Sequence, residues 1–198
     1  MNSLNLPLTK LTPSLAPLVT SKFSKKLEGK RVKANVKLLY KGQIVKEEIG
    51  EVLFKKDGIS GIVIFNMTSY LSRLHLSSYK DYQISLDMLK NLSYDELKKY
   101  KLIDRSLKNV LQMDIAEEII KNNLDPKNYI LDIKDIYDFK NSQVTSGGID
   151  LSVINNDLSL KCDKNIFVGG EFIDIDGECG GYNIEFALLS GIRIGTNL

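Results

Sequence analysis

The sequence predicts an α+β fold in which one helical stretch separates two strand-rich stretches. Apolar and polar residues alternate between residues 31 and 54 and again between 129 and 139, which is the period of a half-buried strand. Between residues 69 and 122, leucine and isoleucine recur at intervals of three and four, which is the period of a helix. A strand, a glycine-rich loop and a helix are predicted to follow between residues 166 and 195.

The first strand-rich stretch contains a predicted β-hairpin. Residues 31–40 and 44–54 are its strands, and Lys41 and Gly42 form the turn between them. The apolar run Ile62–Phe65 is either a third strand or the start of a buried helix, because periodicity does not separate the two. Three prolines among the first 20 residues predict an extended segment before the hairpin.

The helical stretch carries start and stop signals. Ser93 followed by Glu96 has the form of a capping box, in which each residue supplies an acceptor for the other's amide. Asp114 is predicted to open a short helix that Asn122 closes. His75 is the single histidine, so a histidine-rich metal site or a triad would have no second imidazole to use. We interpret His75 as a partly exposed helix residue.

Composition narrows the classes of function. With 198 residues, 43% of them apolar, the chain can bury a core as one or two domains. Its 27 Lys and Arg nearly balance its 25 Asp and Glu, which argues against a nucleic-acid partner. No stretch resembles a signal peptide or reaches the ~18 apolar residues of a membrane span, so we expect a cytoplasmic protein without a membrane partner. Cys162 and Cys179 lack metal-binding spacing and are interpreted as reduced thiols, and no metal site is predicted.

One segment near the carboxyl end has the features of a ligand site. The short apolar strand Ile166–Val168 is predicted to end at Gly169 and Gly170, where a ligand can approach the backbone closely. A second glycine pair, followed by Tyr182 and Asn183, is predicted to start a helix. The free amides and positive dipole end of that helix favour an electron-rich carbonyl edge or a phosphate.

Acidic residues between the two glycine pairs can accept hydrogen bonds from sugar or ribityl hydroxyls. They are Glu171, Asp174, Asp176 and Glu178. A strand, a glycine-rich loop and a helix also occur in α/β proteins without a ligand, so the pattern alone leaves that alternative open. A calcium loop is a weaker alternative, because the alternating ligands and terminal glutamate of such a loop are missing.

Three parts of the chain carry motifs that occur together in one family. They are Phe167-Val168-Gly169-Gly170-Glu171 with Asp174-x-Asp176-Gly177 and Gly180-Gly181-Tyr182-Asn183, then Gln143–Ile149, then residues 13–18 with 50–61. The first part closely resembles the FAD-binding signature of the HI0933-like flavoproteins, also called the aminoacetone oxidase or BaiN-like family. The second is similar to the family's return from an inserted domain to the flavin domain, and the third resembles that inserted domain.

The resemblance implies a Rossmann-like FAD domain interrupted by an insert made of a small β-barrel and a helical subdomain. The insert corresponds to residues 1–144, with the barrel at about 1–65 and 127–144 and the helical subdomain at about 69–124. Residues 145–198 correspond to the C-terminal segment of the FAD-binding domain, a strand-loop-helix piece of the Rossmann-like fold.

The resemblance also implies that the parent protein is an FAD-dependent oxidoreductase, in which this chain supplies a flavin-facing wall and the substrate-side insert. The implied cofactor-binding residues are Gly169, Gly170, Glu171, Asp174, Gly180, Gly181, Tyr182 and Asn183. Gly170 and Glu171 correspond to positions at the ribityl chain, and the residues from Gly180 onward to amides at the pyrimidine edge. No catalytic residue is assigned.

The sequence departs from the family in containing no GxGxxG turn, which in family members holds the FAD pyrophosphate. We therefore expect an expressed fragment, one product of a split gene or a natural truncation. Such a chain would be inactive alone and would bind FAD tightly only with an N-terminal FAD-binding half as its partner. Bare sheet edges would favour homo-oligomers. The alternative is a non-enzymatic truncated remnant or interaction module that does not bind flavin by itself.

Overall fold

The computed structural model describes residues 4–99 and 105–196, which form two compact units. The barrel unit consists of Pro17–Met67 and Ser77–Ile136. The terminal unit consists of the described residues up to Ala16, Thr68–Leu76, and the described residues from Tyr137 onward.

The regular elements are strands, α-helices and short 3-10 turns. In chain order the strands are β1 Thr12–Ser14, β2 Leu18–Thr20, β3 Arg31–Tyr40, β4 Gln43–Lys55, β5 Gly58–Ser60, β6 Tyr82–Asp87, β7 Tyr129–Ile136 and β8 Val144–Ser146. The α-helices are α1 Ile62–Arg73, α2 Tyr94–Lys99, α3 Met113–Lys121 and α4 Tyr182–Gly195. Short 3-10 turns lie at Lys25–Leu27, Arg105–Asn109, Phe139–Asn141, Leu151–Val153 and Gly170–Phe172.

Six strands close into a barrel in the order β2-β5-β4-β3-β6-β7, with every neighbouring pair antiparallel. The ring closes where β2 pairs with β7, with Leu18 opposite Ile136. Closure removes the free edges that an open sheet would expose. The α+β fold with a small barrel is thus confirmed, and β7 covers most of the strand-rich stretch predicted at residues 129–139.

The predicted hairpin is confirmed as β3 and β4. Tyr40 pairs with Gln43 across the turn, and the φ angles of Lys41 and Gly42 are 49° and 79°. Two successive positive φ angles are what a type I′ turn requires, and the twist of that turn matches the twist of the strands it joins. The alternation of β3 therefore places every second side chain in the core: Val32, Ala34, Val36 and Leu38.

The barrel core is built around one fully buried aromatic residue, Phe54. Its ring centroid lies 5.1 Å from that of Phe23 and 6.3 Å from that of Tyr129, and both pairs meet edge to face. This geometry places the positive edge of one ring against the negative face of the next, which adds to the stabilisation from burial. The barrel strands surround the rings with buried aliphatic side chains: Leu18, Leu38, Val52, Ile59, Ile84, Leu86, Leu131 and Ile133.

The prediction of helix throughout residues 69–122 is wrong for residues 82–87, which form β6 of the barrel. Ile84 and Leu86 are fully buried and lie two positions apart, as on one face of a strand. The three-residue spacing to Leu89 looked helical, but Leu89 lies in the turn that follows the strand. The spacing of apolar residues across a strand end and the following turn was therefore the same as the spacing in a helix.

The run Ile62–Phe65 is the first turn of α1, and the strand lies just before it as β5. Gly61 joins the two with a φ of 121°, and a Cβ at that position would clash with the backbone oxygen of Glu51, so the junction requires glycine. The prediction that His75 lies in a helix is wrong. This residue lies in the turn after α1, with a φ of 48°.

The two helix signals read from the sequence are confirmed. The Ser93 hydroxyl accepts a hydrogen bond from the amide of Glu96 at 3.2 Å, and the Glu96 carboxylate accepts one from the amide of Ser93 at 2.7 Å. α3 contains Asp114 in its first turn and ends at Asn122. Residues 100–104 of the predicted helical stretch lie outside the described residues.

Ion pairs join α3 to neighbouring segments, and we expect them to make the free energy of unfolding depend on pH in the acid range. The Lys30 ammonium lies 2.6 Å from Asp114, and Glu117 lies 3.1 Å from Lys108 and 3.5 Å from Lys26. Hydrogen bonds from Lys30 and Lys108 lower the pKa of Asp114 and Glu117 below their ordinary values of 3.8 and 4.5. Because the folded-state pKa values are depressed, this stabilisation is complete above the ordinary values and is lost as the pH falls through the lowered ones.

We therefore expect the midpoint of urea unfolding to fall between about pH 5 and pH 3. The double variant Lys30→Met/Lys108→Met should show a shallower fall over the same interval, because its two carboxyls have lost their closest cations. Equal slopes for the variant and the parent chain would contradict this assignment.

In the terminal unit, β1 pairs with β8 in antiparallel fashion, with Thr12 opposite Ser146. Four buried side chains form its small core: Ile149, Ile154, Leu160 and Ile173. Phe186 of α4 packs against this core, which fixes the last helix on the unit. None of the described helices is both long and apolar enough to cross a bilayer.

Candidate functional site

The start of α4 is an open glycine turn. Gly180 and Gly181 have φ angles of 148° and 93°, which residues with a side chain rarely adopt. Gly181 is the N-cap and makes no side-chain capping bond, and a Cβ built on it would meet no atom within 4 Å. Because the first amides of a helix lack acceptors within the helix, backbone donors and the positive dipole end are concentrated at this turn.

The side chain of Asn183 holds this turn in place. Its Oδ1 accepts a hydrogen bond from the amide of Gly177 at 2.7 Å, and its Nδ2 donates one to the carbonyl of Gly177 at 3.1 Å. The loop from Gly177 to Asn183 is therefore clamped at both ends. The Tyr182 ring lies against Gly180, because a Cβ on that glycine would be 3.0 Å from Tyr182 Cε2, and 60% of the Tyr182 surface is exposed to a ligand.

The first glycine pair lies against the body of α4. The amide of Gly170 donates a hydrogen bond to Ser190 Oγ at 2.8 Å, and that hydroxyl in turn donates to the carbonyl of Ala187 at 2.9 Å. A Cβ on Gly169 would lie only 3.0 Å from Ile194 and 3.1 Å from Ser190. Close packing against α4 thus favours glycine at position 169 without a ligand.

The prediction of a regular strand at Ile166–Val168 is wrong. Phe167 makes only an isolated bridge to Ser159, and the chain then enters a 3-10 turn at Gly170–Phe172. The flanking backbone bonds run to the short segment around Leu158 and Leu160, at 3.0 and 2.8 Å. A strand needs a partner of comparable length, and within the described part of the terminal unit this segment supplies only a short one.

Two predicted acidic residues have different surroundings. Glu171 is exposed, and its Oε1 accepts a hydrogen bond from the amide of Thr145 at 2.7 Å. Asp174 lines a recess of about 380 Å³ together with Arg73, His75 and Ser146. Both carboxylates are therefore reachable by a ligand.

Asp176 is instead the centre of a buried polar network that sequence reasoning missed. Its side chain is 3% exposed and accepts hydrogen bonds from Ser14 Oγ at 2.9 Å and Ser69 Oγ at 3.3 Å. Arg73 Nε lies 3.2 Å from its Oδ1, and an Arg73 Nη2 bond to its backbone oxygen completes the clamp. Asp176 therefore anchors the loop, and with 3% of its side chain exposed it offers a ligand little of its carboxylate.

One face of α4 is apolar and exposed. The exposed fractions of its large side chains lie between 54% and 78%, for Tyr182, Ile184, Leu188, Leu189 and Ile192. The opposite face packs on the unit through Phe186 and Ser190. A contiguous apolar helix face of this kind marks an interaction surface.

The glycines of α4 allow a matched stability prediction. We expect Gly181→Ala to lower the free energy of unfolding by about 1–2 kcal/mol, because alanine is strained at a left-handed φ. Gly191→Ala should raise it by about 0.5–1 kcal/mol, since Gly191 lies inside the helix and its Cβ would meet nothing within 4 Å. Urea unfolding of the two variants measures both, and effects of the same sign would contradict the backbone description.

The closed barrel with its helices defines a class of protein. A family described as "HI0933-like protein barrel and H2TH domain" matches residues 12–143. The chain belongs to this HI0933-like family, as the resemblance of its motifs predicted.

The chain is also similar to the 3-dehydro-bile acid delta(4,6)-reductase of Clostridium scindens, with 27% identity over 220 aligned positions. The similarity covers 93% of this chain and 54% of that protein. The chain thus spans about half the length of the curated relative it matches.

Proposed function

We propose that this chain is the C-terminal portion of an FAD-dependent oxidoreductase, in which it supplies the flavin-facing wall and the substrate-side domain. Membership of the HI0933-like family and similarity to a reductase support the proposal. The observation that carries it is the open turn at Gly180 and Gly181, where a helix start has neither a side-chain cap nor a neighbouring atom near Gly181. The boundary near residue 144 between insert and flavin-domain segment is part of the proposal.

The residues at this turn fit the pyrimidine edge of a flavin. A planar ring needs room at the turn: the space beside Gly181 is open, and the Tyr182 ring, which lies against Gly180, would border the approach. Bound flavin would supply the two-electron redox chemistry. The chain's part is to place the amides of Tyr182 and Asn183, with the positive end of α4, where negative charge accumulates on reduction.

Glu171 would hold the ribityl chain. Its Oε1 is fixed by the Thr145 amide, which orients the carboxylate and leaves Oε2 for a ligand hydroxyl. The amide of Gly170 already donates to Ser190, so Gly170 would contribute a close backbone surface to the ribityl chain rather than a donor. Asp174, at the recess beside this loop, is the second carboxylate within reach of a ligand.

The pyrophosphate of FAD would be held by a separate N-terminal half. The chain contains no GxGxxG turn, and the exposed apolar face of α4 provides a surface on which such a half can pack. The alternative function is a non-enzymatic interaction module that uses this same apolar face without flavin. The exposure of Ile184 and Leu188 is compatible with both functions. Whether flavin binds distinguishes the oxidoreductase from the interaction module.

Flavin titration tests the proposal. FAD is added to the chain alone and to the chain mixed with a separately expressed N-terminal FAD-binding half, and the shift of the visible flavin absorbance is measured. We expect a shift with the mixture. Gly181→Val should weaken binding at least about tenfold, which corresponds to ~1.4 kcal/mol.

The matched control is Gly42→Val. Gly42 also has a positive φ and open surroundings, but it lies in the β3–β4 turn of the barrel unit, so its variant carries similar strain without touching the proposed site. Flavin binding by the Gly42 variant should equal that of the parent chain. A mixture that leaves the flavin spectrum unchanged, although both halves are folded, would refute the cofactor role and favour the interaction module.

A further inference from the structure

A cleft of about 800 Å³ lies in the barrel unit, beside α3, β7 and the segment that follows β2. Its volume falls within the range of small-molecule sites, about 300–1,000 Å³. Every lining residue belongs to the barrel unit, so the shape of the cleft is set by that unit alone. None of residues 169–183 lines it, so a ligand here would be distinct from the proposed flavin.

The cleft presents an apolar surface to solvent. Ile120, Leu124 and Ile130 each keep 38% of their surface exposed, and the half-buried Phe23 also lines the cleft. Exposed aliphatic side chains gathered in a concave site gain by contact with an apolar ligand, at roughly 25 cal/mol per Å² removed from water. A fully polar ligand would forgo this contribution.

The charged groups of the cleft leave two cations unmatched. Glu117 pairs with both Lys26 and Lys108, and the Glu118 carboxylate accepts a hydrogen bond from the amide of Ser24 at 3.2 Å. Asp114 pairs with Lys30. Of the lining residues, the side chains of Lys22 and Lys121 make no ion pair or hydrogen bond within the described ranges. Glu118 has no cation partner among the described residues, so two cations and one carboxylate of the cleft are unmatched, and the balance is positive.

Tyr129 adds a neutral donor. Burial raises the pKa of its hydroxyl well above its ordinary value, and the nearby charge of Glu118 raises that pKa further. The hydroxyl therefore stays protonated at any physiological pH and can donate a hydrogen bond. Its ring is held edge to face against Phe54, which fixes its position in the wall of the cleft.

We propose that this cleft binds a small amphiphilic carboxylate, with its apolar body on Ile120, Leu124 and Ile130 and its anionic group between Lys22 and Lys121. The combination of an exposed aliphatic surface with two unmatched ammonium groups is complementary to such a molecule.

The test uses the fluorescent fatty-acid analogue 11-(dansylamino)undecanoate. We expect saturable binding by the intact chain, displacement of the probe by dodecanoate, and weak displacement by methyl dodecanoate, which has the same body without the charge. Lys22→Glu/Lys121→Glu should weaken probe binding at least about tenfold. Leu124→Asp should also weaken it, because Leu124 is partly exposed and contributes to the apolar surface.

The matched control is Lys33→Glu/Lys134→Glu. It makes the same change in net charge on exposed positions of β3 and β7 that do not line the cleft. Equal loss of binding in the two double variants, equal displacement by the methyl ester, or no saturable binding would each overturn the proposal. If the Glu variants unfold at lower temperature than the parent chain, the double variant Lys22→Gln/Lys121→Gln replaces them. It removes both positive charges without adding negative ones, and it should also weaken probe binding.

Discussion

Replacement of Phe54 by alanine is expected to lower the free energy of unfolding by about 3–5 kcal/mol. Phe54 has no exposed surface, and its ring contacts the rings of Phe23 and Tyr129 edge to face. Alanine would remove the buried surface, both aromatic contacts and the volume that the barrel strands pack around. A closed barrel cannot collapse onto the resulting space as easily as an open sheet, so the cost should fall in the upper part of this range.

Urea unfolding followed by circular dichroism measures this effect. Ile49→Ala is the matched control, because Ile49 lies on the same strand with 54% of its surface exposed. Its effect should stay near 0.5 kcal/mol, as expected of an exposed position. A loss below about 1.5 kcal/mol for Phe54→Ala would show that the barrel interior is not packed as described. The Phe54 variant should also weaken carboxylate binding, because Phe23 and Tyr129 line the cleft.

The second large effect is expected at Asp176. Substitution by alanine should cost about 2–4 kcal/mol, because it leaves the buried hydroxyls of Ser14 and Ser69 without their acceptor and removes the ion pair with Arg73. Buried donors without a partner account for most of this cost. The ion pair adds less, because the Arg73 side chain is 50% exposed and its charge is largely solvated.

Two variants separate these contributions in urea unfolding. Asp176→Asn keeps an acceptor of similar shape but loses the charge, so its cost should be smaller than that of alanine. Asp174→Ala changes a neighbouring carboxylate that lines the recess, and its effect should lie within about 0.5 kcal/mol of zero. Equal effects of Asp174→Ala and Asp176→Ala would contradict the anchoring role of Asp176.

The sequence predicted best the features that are set locally. The β3–β4 hairpin depends on alternation and on a Lys-Gly turn, and both signals lie within a few residues of the structure they cause. The capping box of Ser93 and Glu96 and the glycine start of α4 are equally local. β6 was missed because its leucine spacing continued into a turn, and the pairing that makes it a strand is contributed by β3 and β7.

The site was predicted in part for the same reason. Glycines at positive φ are visible in a sequence, and Gly180 and Gly181 do form the turn that the pattern indicated. Asp176 accepts a hydrogen bond from Ser14, which is 162 residues away in the sequence, and no local sequence pattern predicts such a contact. The sequence therefore grouped Asp176 with its acidic neighbours, and the fold gives it a structural role.

The pairing of Leu18 with Ile136 also sets an order of events during synthesis. β2 leaves the ribosome before β7, which emerges only after β6, α2 and α3. Until then the nascent sheet has two open ends, and β2 has only β5 beside it. A pause in translation before residue 129 would hold the nascent chain with that end uncapped, so slow codons there would promote misassembly.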